Sequence, residues 1–195
     1  MNHALARAVS ISGHPMVVLP LAALALTLAR GQYLIALWMA LGFAAFAGIV
    51  MAYSGWQVRR GRWSHVDASD RRERRSLNRF LLVALLVSTA LAFWLGPSAE
   101  LTLGLALSAA MVAVAMLTSR WCKLSLHMAF AVFAAFLLLV NAPWWAGLAG
   151  LCFAAAVAWS RLALQRHVPR DLIAGALIGA LAGIAFAMSV GAGTG

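Results

Sequence analysis

The sequence predicts an all-α integral membrane protein: a bundle of six to seven transmembrane helices with active-site loops clustered on one face. Three observations predict it. Of the 195 residues, 64% are hydrophobic and 10% are charged, and mean hydropathy is +0.91, whereas soluble domains average about 45–50% apolar and about 25% charged. The charges gather in short segments between apolar runs long enough to cross a bilayer, which takes roughly 20 residues at 1.5 Å each. Those segments also fall at alternate run boundaries, so most of them share one side of the membrane. Length allows one or two domains, but a chain this apolar reads as a single transmembrane domain over residues 1–195.

The spans follow in order. Ala8 to Ala29 carries no Asp, Glu, Lys or Arg and forms the first, closed by Arg30-Gly31. Gly31 to Val58 is the second. Arg59 to Arg79, with eight arginines, Asp67, Asp70, Glu73 and His65, is the one long polar stretch. Phe80 to Ser119 holds the third and fourth spans, separated by a turn at Gly96-Pro97-Ser98-Ala99-Glu100. Leu124 to Ser160 is too long for one ordinary helix, and Asn141-Ala142-Pro143 divides it into a hairpin of spans five and six. Leu172 to about Val190 is the last. Its glycines recur every four residues from Gly175 to Gly183, which suits close helix packing and offers a possible homodimer face; packing within the monomer is the preferred reading.

Seven spans place the N-terminus, Arg59–Arg79, Arg120–Lys123 and Arg161–Asp171 on one side. Fourteen of the 15 basic residues then lie there and only Arg30 lies opposite. The positive-inside rule makes that face cytoplasmic, in a plasma membrane of bacterial or archaeal type. The net charge of +10 suits phosphates, and its confinement to inter-helix segments points to lipid phosphates and membrane lipids rather than nucleic acid. Cys122 and Cys152 lie in or beside apolar segments and supply no disulfide framework. The first apolar run lacks a clear cleavage site and is expected to be retained.

The chemistry concentrates in Ser160-Arg161-Leu162-Ala163-Leu164-Gln165-Arg166-His167-Val168-Pro169-Arg170-Asp171. An Asp four residues after a His can hold one imidazole nitrogen and so leave the other facing a substrate. Arg161 can meet phosphate oxygens through its planar fork. Together these residues describe a phosphate site with a nucleophile.

This run resembles the third signature of the type 2 phosphatidic acid phosphatase superfamily: Ser-Arg, five residues, His, three residues, Asp. The second signature, Pro-Ser-Gly-His, is kept only as Ser125 and His127 in Leu124-Ser125-Leu126-His127. The first, Lys, six residues, Arg-Pro, has its nearest counterpart in Asp70-Arg71-Arg72-Glu73-Arg74-Arg75, where no proline follows. The resemblance covers residues 70–177, with the first two helices, about 8–58, as an accessory part. Ser12-Gly13-His14 looks like the second signature locally, but it precedes the arginine cluster and is set aside as out of order.

The resemblance implies a lipid phosphatase acting on a phosphomonoester or diphosphate of a phospholipid or polyprenyl lipid. His167 would form a phosphohistidine, Asp171 would orient it, and His127 would protonate the leaving alkoxide. Arg161, Arg71 and Arg74, with Ser125 and Lys123 assisting, would bind the phosphate. No metal or other cofactor is implied. Read by themselves, the arginines of 59–79 anchor anionic lipid at about 1 kcal/mol each, Trp63 and His65 are interfacial, and Trp144, Trp145 and Trp159 fit an aromatic belt. The rival readings are a lipid phosphotransferase with the same histidine chemistry, a prenyltransferase using Asp67 and Asp70, and a small membrane transporter. The prenyltransferase lacks a second acidic motif for Mg²⁺, and the transporter lacks polar residues within its spans.

Overall fold

The computed structural model describes residues 3–66, 70–96 and 98–191, the side chains of Arg71 and Gly191 excepted. The described chain is helical, without strands: α1 (His3–Ser12), α2 (Pro15–Ala29), α3 (Tyr33–Arg59), α4 (Arg71–Leu95), α5 (Ala99–Leu117), α6 (Leu126–Asn141), α7 (Trp144–Ala163) and α8 (Pro169–Gly191), with one 3₁₀ turn at Thr118–Arg120. Five of these (α3, α4, α5, α7 and α8) are long and apolar enough to cross a membrane, and α1 with α2 makes a sixth if the bent pair is one span. The protein is an integral membrane helical bundle.

The first expected span is not one straight helix. It breaks at Ser12-Gly13-His14 with a bend of 55°. Pro15 cannot donate to a preceding turn and holds His14 in extended backbone, φ −63°, ψ 137°. His14 then caps α2, its Nδ1 accepting from the Met16 N–H at 3.2 Å. A Cβ at Gly13 would run into Val157, so the break is seated closely on α7.

The polar stretch before the third span also differs from a plain loop. Helix α4 begins at Arg71, more than two turns before the apolar run at Phe80. Asp70 is its N-cap, and the Glu73 carboxylate reaches back to accept from the Asp70 N–H at 3.2 Å and from Ser64 N–H and Oγ. Trp63, expected at the interface, is buried and stands edge-on to Tyr53. Asp67 lies outside the described residues.

Helix α6 is the centre of the bundle and contacts α2, α5, α7 and α8. Residues Ala129 to Ala135 are all buried, as expected of a helix apolar on every side. Lipid tails are as apolar as leucine, so what holds these helices is close packing rather than removal of surface from water. Glycine supplies that closeness. A Cβ at Gly175, Gly179 or Gly183 of α8 would meet Ser125, Ala129 or Phe136, and one at Gly147 or Gly150 of α7 would meet Leu139 or Ala135. The glycine stripe of α8 is thus occupied by α6 of the same chain.

At the end away from the basic loops, Arg30 bonds Glu100 at 2.7 Å and Asn141 at 2.9 Å. This joins the close of α2, the start of α5 and the close of α6. The basic loops lie at the other end, where Lys123 Nζ donates to the Arg166 carbonyl at 2.8 Å.

Candidate active site

Four helices begin at the basic end and run away from it: α2 from His14, α4 from Asp70, α6 from Ser125 and α8 from Pro169. Each presents unsatisfied N–H groups and the positive end of its dipole, so the convergence favours an anion before any side chain is counted.

The connection from α7 to α8 places the central pair. Helix α7 ends in a Schellman motif, with Gln165 N–H on Leu162 O at 2.9 Å and Arg166 N–H on Arg161 O at 3.0 Å. Gln165 takes the left-handed conformation usually left to glycine, φ 53°. The chain reverses there, and Pro169 starts α8 with Asp171 in its first turn. One helical turn of separation sets His167 Nδ1 3.4 Å from Asp171 Oδ2, with only 8% and 5% of the two side chains exposed.

Asp171 is held from several sides. Its Oδ1 accepts from the Lys123 N–H at 3.2 Å and the Cys122 thiol at 3.4 Å, and Oδ2 also meets the Val168 N–H at 3.5 Å. Its backbone carbonyl takes the Ser125 N–H at 3.1 Å. Cys122 was not singled out in the sequence; its place one residue before Lys123 was the available signal. Burial, followed by the Asp171 hydrogen bond, pushes the Cys122 thiol up.

Electrostatics set the protonation state of His167. Burial pushes its pKa down to about 4, Arg161 and Lys123 add to the effect, and Asp171 opposes it. His167 is therefore neutral near pH 7, and the Asp171 carboxylate selects the tautomer with the proton on Nδ1, leaving the Nε2 lone pair available. Burial and then the charge of Arg74 push the Lys123 ammonium down, with Arg161 and Arg166 also contributing.

Of the remaining expected residues, Arg161 is half-buried on the last turns of α7 and donates from Nη1 to Ser10 Oγ at 2.8 Å. Its neighbour Ser160 is buried. His127 stands in the first turn of α6, inside the helix rather than before it, within electrostatic range of Arg161, His14 and His167. Ser125 is fully buried as the α6 N-cap, its Oγ accepting from the Met128 N–H at 3.4 Å, a structural task. Arg74 is close enough to act on Lys123, whereas Arg72, Arg75 and Arg79 are exposed. Arg71 opens α4, but its side chain lies outside the described residues.

One residue set aside on motif order is brought to the same place. The His14 ring meets the His127 ring edge-on, with centroids 5.1 Å apart. The legible signal was Gly13-His14-Pro15, a helix break that carries its own cap.

Two cavities bear on the location. One of about 390 Å³, lined by Thr27, Arg30, Met39, Glu100 and Asn141 among others, lies at the far end and includes none of the residues above. Another of about 470 Å³ opens beside the site, between His3 and Arg7 of α1 and Ala163–Arg166. Among the described residues, no three His, Cys, Asp or Glu side chains are grouped to hold a metal ion.

A bundle of membrane helices with a His–Asp pair and converging cations at one end has the charge and the nucleophile that phosphoryl transfer requires. A sequence model of the PAP2 superfamily matches residues 121–193, which hold Lys123, Ser125, His127, Arg161, His167 and Asp171, and that superfamily comprises phosphatases and phosphotransferases. No curated protein and no solved structure matches the chain.

Proposed function

We propose that the protein is a membrane-embedded lipid phosphate phosphatase that works through a phosphohistidine without a metal. The observation that carries the reading is the buried His167–Asp171 pair at 3.4 Å beside Arg161 and His127. A neutral imidazole with a fixed tautomer is a nucleophile. Its Nε2 attacks phosphorus as the bond to the lipid oxygen breaks, and His127, having taken up the proton that the phosphate monoanion carries into the site, gives it to that oxygen, so that an alcohol departs rather than an alkoxide. Water, losing a proton to His127, then attacks phosphorus; the P–N bond breaks and His167 is regenerated. Arg161 and Arg74, with Arg71 at the head of α4, balance the charge of the transition state. The 3.4 Å separation of His167 and Asp171 is long for a charge-assisted bond, and it shortens when the imidazole becomes cationic as the P–N bond forms.

The substrate is a lipid phosphate because the helices open directly to lipid and the cations stand at their ends. It reaches the site sideways from the bilayer, on the cytoplasmic face of a plasma membrane by charge asymmetry.

The test is phosphate release from a panel of lipid monophosphates and diphosphates by purified wild type and His167→Ala, with a chelator present. We expect wild-type turnover, an inactive variant, and an acid-labile phosphoryl adduct trapped on the wild type only. Turnover by His167→Ala, or loss of wild-type activity on chelation, would sink the mechanism.

A further inference from the structure

We propose that His14 is a third histidine of this site, donating from Nε2 to a phosphate oxygen beside His127. The proposal rests on the phosphatase reading and extends the site to the N-terminal segment, which lies outside residues 121–193.

Four observations carry it. His14 Nδ1 accepts the Met16 N–H at 3.2 Å, so the neutral ring bears its proton on Nε2 and presents a donor there. The ring is exposed and stands edge-on to His127 at 5.1 Å between centroids. The segment before it is fixed to the site: Ser10, one turn upstream, accepts from Arg161 Nη1 at 2.8 Å, and Gly13 sits on α7 where a Cβ would strike Val157. Finally, α2 and α6 pack together and are tied at their far ends through Arg30 and Asn141, so their capped N-termini are held side by side. A phosphate at His127 would thus lie next to two parallel helix starts, with His14 as the side-chain donor of one of them.

Substitution can separate the cap from the donor. Asn at position 14 supplies a capping oxygen but no group at the Nε2 position, whereas Gln places an amide nitrogen near it. With purified full-length protein in detergent, His14→Asn should keep the wild-type Tm. Its KM on phosphatidic acid micelles and its Ki for inorganic phosphate should both rise on the order of tenfold, as expected for a lost hydrogen bond to a charged group. His14→Gln should return most of both. Should the Asn variant melt early, wild-type protein labelled with ¹⁵N-histidine decides: inorganic phosphate should shift the His14 Nε2 resonance.

Wild-type KM and Ki in a folded His14→Asn, or an unmoved resonance, overturns the proposal. If wild type then still hydrolyses lipid phosphate and His167→Ala does not, the phosphatase reading survives without His14. If wild type and His167→Ala are equally inert on every lipid phosphate, that reading fails and takes the proposal with it.

Discussion

At the scale of single residues, His167 couples the site to pH. Its folded pKa is about 4 against an ordinary 6.5. Between those values the unfolded chain binds a proton at this position that the folded chain does not, so His167 lowers stability as pH falls from about 6.5 to about 4. Below that window both states are protonated and its contribution levels off. We expect the Tm in detergent to drop more steeply across this window for wild type than for His167→Gln; parallel curves would show that burial does not hold the imidazole neutral. The His–Asp spacing was legible in the sequence because a four-residue separation at a helix start has one geometry. Cys122 was not, since a thiol beside a carboxylate depends on how two loops meet.

At the scale of elements, uninterrupted hydropathy and charge marked where the chain crosses. They did not mark where helices break. Ser12-Gly13-His14-Pro15 contains no charge, and a ruler made of charged residues passes over it. At Arg71–Arg79 the charge marked a polar stretch and Asp70 offered a cap for the next helix; the Asp70–Glu73 capping pattern does start α4 there, before the membrane is reached. The glycine repeat of α8 was legible as a packing face, and the structure supplies its partner, α6. Gly179→Val should force α6 and α8 apart, at a cost of about 1–3 kcal/mol for overpacking, and should lower activity because Ser125 and Asp171 are bonded across the same seam. Gly42→Val, which meets nothing within 4 Å, is the control and should melt with wild type. Equal melting of the two variants would count against the seam.

At the scale of the whole molecule, both ends of the bundle are tied, by different groups. Arg30, Glu100 and Asn141 join three helix ends away from the basic loops, while at the basic end Asp171 bonds Lys123 and Ser125 and Arg161 bonds Ser10 around the histidines. The expected one-sided distribution of polar loops is realised in these contacts, which bring residues from 14 to 171 together.

The short reach of helices α2 and α6 has a mechanical consequence. Helices α2 and α6 have 15 and 16 residues, hence lengths of about 22 and 24 Å against roughly 30 Å of hydrocarbon. With the ends tied through Arg30 and Asn141 placed at one headgroup layer, their histidine ends would stop several ångströms below the other. We expect the leaflet to dimple to meet them, so that hydrophobic mismatch sets how far a lipid headgroup descends to react. Reconstituted into phosphatidylcholine vesicles of increasing acyl length, the protein should turn over lipid phosphate more slowly as the bilayer thickens, and a rate indifferent to thickness would mean that the phosphate does not descend to the site.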